Sequence, residues 1–139
     1  MTEEERAEQE RQKGWVKARL ECDYKPVFSD LVETVKHDVK VFNEAANASI
    51  EAHYDKDDFR IYVSPIQKGR DNDYVEIKLV GKCIKVKQND KHFVVTFEWI
   101  ESELRCRLMI NKKEYTFPQI SQKALGPLLF KDYPPAVES

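Results

Sequence analysis

Glycine is scarce in this chain, with four residues in 139, and there are only three cysteines, three histidines and no long apolar run. Each shortage closes off a class of function. Loops that cradle phosphates rely on glycine's backbone freedom, and the sequence holds no P-loop, no dinucleotide-binding glycine fingerprint and no nucleophile elbow. No stretch approaches the ~20 apolar residues that cross a bilayer. The first residues, Thr2, Glu3, Glu4, Glu5 and Arg6, are the opposite of a cationic and then apolar secretory signal. A cytoplasmic protein with no membrane partner is therefore expected. Cys22, Cys83 and Cys106 are odd in number and far apart, so neither a disulfide framework nor a zinc knuckle is expected. Cys83 and Cys106 read as small strand residues in a reducing compartment.

The candidates for chemistry are equally thin. His37 falls on the polar side of a helical pattern, while His53 and His92 fall on the outward phase of strand patterns, and none has a partner carboxylate or cysteine pair in view. Asp55, Asp57 and Asp58 resemble the start of a calcium loop, but Arg60 stands where such a loop needs glycine and Ile66 where it needs glutamate. Turn chemistry accounts for these acids, because aspartate satisfies turn backbones with its own side chain. No catalytic, cofactor-binding or metal-ligating residue is assigned, and no cofactor is expected.

What the chain has is charge, unevenly spread. Residues 1–58 carry 9 Lys and Arg against 15 Asp and Glu, a net of −6, whereas residues 59–113 carry 12 against 7, a net of +5. An acidic half and a basic half make an electrically polarised molecule. Thr2 with Glu5 forms a capping-box signal that opens a charged helix or arm over residues 1–20, anchored only by Trp15, Val16 and Leu20. From residue 21 to 132 a single domain is expected, followed by an extended tail at 133–139 that begins with Tyr133, Pro134 and Pro135.

Within the domain, Phe28, Leu31, Val32, Val35, Val39, Phe42 and Ala46 recur at helical spacing and predict one long amphipathic helix. Asp23 or Ser29 would cap it and Asn47 would stop it. Val41, Ala45 and Ala48 form a second, weaker face for the segment of Trp15 and Leu20. Period-two runs follow at 50–54, 59–63, 74–80, 83–88, 92–100, 104–110 and 114–117, joined by connections short enough for hairpins. The exception is Ser64 to Asp73, the longest interruption, which is expected to be a loop. The C-terminal run Ile120, Ala124, Leu125, Leu128, Leu129 and Phe130 reads as a short helix that closes one end of the sheet, kinked or divided at Gly126 and Pro127.

The expected fold class is α+β: a long amphipathic helix packed on a curved antiparallel β-meander of five to seven strands, with a short C-terminal helix. That order of elements is similar to cystatin-like and other helix-on-curled-sheet folds, a likeness of order alone that transfers no function. Alternation places Lys78, Lys85, Lys87, Arg105 and Arg107 together on the outer face of the sheet, interrupted by Glu76 and Glu98, with the aromatics pointing inward. Three function classes follow in order. The first is a non-catalytic binding or adaptor protein acting through protein contacts, with a homodimer as one form. The second is nucleic-acid binding on the basic face. The third is a small-molecule pocket or enzyme at the open end of the sheet, lined by Tyr62, Tyr74, Trp99 and Tyr115.

Overall fold

The structure, a computed structural model, describes residues 2–65, 73–89 and 91–130. Among the described residues three α-helices and seven strands run in the order α1 (Glu3–Glu21), α2 (Tyr24–Ala46), β1 (Ile50–Asp55), β2 (Arg60–Pro65), β3 (Val75–Val80), β4 (Cys83–Gln88), β5 (Lys91–Ile100), β6 (Arg105–Ile110), β7 (Lys113–Tyr115) and α3 (Phe117–Leu129). All the pairings are antiparallel between chain neighbours, so the sheet is an open seven-stranded meander. Residues 66–72, within the expected long loop, and the expected tail lie outside the described residues.

Helix α2 forms where its stripe predicts. Asp23 caps it by accepting from the Tyr24 amide at 2.8 Å, Pro26 sits in the first turn where its missing amide has no helical partner to serve, and Asn47 ends it at φ 51°. Its buried face, Val27, Phe28, Leu31, Val32, Val35 and Val39, lies on one side of the sheet. The strand register assembles the opposing surface: Ile77 faces Val86, which faces Phe93, and Leu79 faces Ile84, which faces Val95. Asn43 fastens helix to sheet, since its amide donates to the Ile50 carbonyl and its oxygen accepts from the Ile50 amide, both at 2.9 Å.

Three expectations need correction. First, Cys22 and Cys106 are joined in a disulfide, with Cα atoms 5.2 Å apart, a separation suited to such a bond. Spacing along the chain hides the pair because the two cysteines stand 84 positions apart. The cysteine count thus ceases to argue for a reducing compartment. Second, α1 lies on the far end of the β5–β6 hairpin, not on the second face of α2. The Trp15 indole donates to Glu101 at 3.2 Å, Arg19 sits 5.2 Å over the Trp99 ring, and Trp99 donates to the other Glu101 oxygen. Third, α3 is one continuous helix beside α2 on the inner face of the sheet.

Gln88 explains the continuity of α3. Pro127 has no amide hydrogen for the carbonyl of Lys123, four residues earlier. The buried Gln88 side chain supplies the missing donor, giving to Lys123 O at 2.7 Å and to Ala124 O at 2.8 Å. At the other end of the helix Thr116 and Gln119 complete a capping box.

Candidate functional site

The outer face of the sheet is a grid fixed by the register. One row across neighbouring strands reads Asp55, Arg60, Lys78, Lys85 and Val94; the next reads His53, Tyr62, Glu76, Lys87 and His92. Side chains within a row stand on strands about 4.8 Å apart, and the two rows are about 6.6 Å apart along the strands. Arg60, Lys78 and Lys85 are therefore three cations directly abreast on three adjacent strands. Like charges placed opposite one another oppose sheet formation, and the fold tolerates this arrangement here.

The five expected basic residues do not behave as one patch. Arg105 makes paired hydrogen bonds to Glu114 at 2.7 and 3.1 Å and reaches Glu103 at 3.2 Å. Arg107 clasps Glu98 at 3.2 and 2.9 Å. The Glu114 bond raises the Arg105 pKa, the Glu98 bond raises that of Arg107, and the Arg105 bond holds the Glu114 carboxyl below its ordinary range. These two arginines are occupied by their neighbours. Lys78, Lys85 and Lys87 have no ion pair among the described residues. Glu76 is drawn away by Arg60 at 3.7 Å. With Lys91 and His92 the three lysines border a shallow cleft of about 200 Å³.

The aromatics divide between the two faces. Ile61 and Val63 point into the core, so Tyr62 between them points out, and by the same parity Tyr74 points out beside Val75. Their rings stack at 5.4 Å with an interplanar angle of 10°. Tyr74 is fixed by its hydroxyl, which donates to Asn89 O at 3.0 Å, and by its amide, which donates to Asn89 Oδ1 at 2.9 Å. The Lys87 ammonium lies 6.0 Å from the Tyr74 ring. Trp99 and Tyr115 face the other way, the first under α1 and the second beneath Lys113 and Lys123. The structure does not bring the four together. The outward tyrosine pair is the surface feature that reading every aromatic as inward misses, although the alternation of Ile61, Tyr62 and Val63 carries the signal.

Larger concavities lie elsewhere among the described residues. A cleft of about 510 Å³ runs between the end of α1, the start of α2 and β6, and contains the paired Arg105, Arg107 and Glu114. An apolar groove of about 540 Å³ separates α2 from α3, bordered by Val41, Phe42, Ala45, Leu125, Leu129 and Phe130. Among the described residues no three His, Cys, Asp or Glu side chains converge as a metal site, and no helix is long and apolar enough to cross a membrane. No family model, curated protein or solved structure matches this chain.

Proposed function

We propose that this chain is a non-catalytic binding protein that engages an anionic macromolecule on the outer face of its sheet. The observation that carries the reading is Lys78 directly abreast of Lys85 on β3 and β4, two cations with no ion pair among the described residues, with Lys87 in the next row. A surface kept only for solubility would pair each cation with an acid, as Arg60 pairs with Glu76 and the β6 arginines with Glu98, Glu103 and Glu114. An arrangement that costs stability fits a binding role. The acidic helical half would hold the molecule off in one orientation while the lysines attract in the other.

The test separates stability from binding in one variant. Lys78→Glu replaces a repulsion with an attraction toward Arg60 and Lys85, so it should stabilise the fold by about 0.2–1 kcal/mol in urea titration. The same variant should lose retention on heparin. A variant that loses stability, or one that keeps its retention, would end this reading.

A second reading rests on the apolar groove, where Val41 is 47% and Phe130 50% exposed. Contact with a protein, including a second copy of the chain, would cover those side chains. Light scattering across a concentration series, repeated with Val41→Asp, checks it: a mass that rises in the parent and stays at one chain in the variant supports self-association.

A further inference from the structure

We infer that the anionic macromolecule is single-stranded nucleic acid, one base of which stacks on the outer face of Tyr62, backed by Tyr74, while its phosphates meet Lys78, Lys85 and Lys87. This rests on the anionic-partner reading and adds the chemistry of recognition. An acidic protein surface would use the cations but has no need of a flat aromatic pair beside them. Unpaired bases do, because each offers a π-face to a side-chain ring, and sequence-tolerant single-strand sites combine such rings with a cationic track.

The geometry supplies both parts within one patch. Tyr62 is 36% exposed on the outer face. Its stacked partner is held by Asn89 through two hydrogen bonds, so the platform is set before a base arrives and binding orders little that is not already ordered. Lys87 stands in the same row as Tyr62 two strands away, and Lys78 and Lys85 occupy the adjoining row. A chain laid across β2, β3 and β4 would leave a base on the tyrosines and carry its next phosphates over the lysines. Duplex is disfavoured, since its bases are stacked on one another and out of reach of the ring faces.

The experiment is fluorescence anisotropy of the whole chain with labelled oligothymidylate, with its duplex on oligoadenylate, and with polyglutamate and heparin as competitors. Tight binding of the single strand, weaker binding of the duplex, and a roughly tenfold loss in Tyr62→Ala that Tyr62→Phe does not share are the expected results. Lys78→Glu with Lys85→Glu should lower affinity further and flatten the salt dependence by about 1.4 in log–log slope, at about 0.7 for each phosphate no longer neutralised. Equal binding of single strand, duplex and polyglutamate, indifferent to Tyr62, would overturn the nucleic-acid assignment and leave the anionic-partner reading standing. Failure to bind any polyanion would overturn both.

Discussion

Gln88 shows how one polar side chain allows a proline to sit inside a helix. Its amide occupies the place of the hydrogen bond that Pro127 cannot donate, and a buried carbonyl without that partner costs about 1–3 kcal/mol. Gln88→Leu should therefore destabilise the protein by roughly 2 kcal/mol in urea denaturation. In a Pro127→Ala background the restored amide can serve Lys123 O, and the same substitution should cost less than about half as much. Equal costs in the two backgrounds would mean that the two residues are not coupled. A second residue-scale prediction concerns Glu114. Arg105 holds its carboxyl below the ordinary glutamate range, so the folded state binds a proton there less readily than the unfolded chain. Its stabilising contribution is complete above the ordinary value and disappears as pH falls through the lowered one. The Glu114 side-chain carbon followed by NMR should titrate below the ordinary range, and should return to it in Arg105→Gln.

At the scale of elements, strands β3 to β6 are legible in the sequence because alternation there is strict: Ile84, Val86, Phe93 and Val95 are each buried, and the residues between them face out. The α2 stripe is legible for the same reason at a different period. What the sequence does not disclose is long-range, namely which helix face meets which strand. The α1 pattern has no buried residue to reveal its seat, and its anchors, the Cys22 bond and the Trp15, Glu101 and Trp99 contacts, join residues that only the folded chain brings together. At the candidate site parity alone finds the lysines, while the arginines' acidic partners depend on a register that the hairpin turns set. One of those turns stores strain. Asn111 and Lys112 both have positive φ, 50° and 67°, between β6 and β7, a pairing that suits asparagine followed by glycine. Lys112→Gly should relieve the second position and raise stability by about 0.5–1 kcal/mol in thermal unfolding, with the β6–β7 pairing unchanged. A neutral or lower melting temperature would show that glycine's entropic cost outweighs the relief.

For the whole molecule, the basic row and the polar helix α1 sit on opposite faces of the sheet, so the binding surface stays open whatever α1 does. Helix α1 is held by little apart from one covalent bond. Its residues from Glu3 to Gly14 are exposed, and its contacts on the β5–β6 hairpin include the half-buried Trp15 and the exposed Arg19. The disulfide spans 84 residues, and closing so long a loop in the unfolded chain corresponds to about 4–5 kcal/mol of stabilisation on the chain-entropy account. Because α2, α3 and β1 to β6 share a buried core that Cys106 only borders and Cys22 does not join, cutting the bond should separate two levels of stability. With reductant, or in Cys106→Ser, amide exchange should accelerate throughout α1 while α2 and the central strands remain protected, and the global denaturation midpoint should fall. If α1 and α2 became unprotected together, the first helix would be part of the cooperative core, and the disulfide would be a staple of the entire fold. If neither changed, the indole contacts to Glu101 would be sufficient to seat α1 on their own.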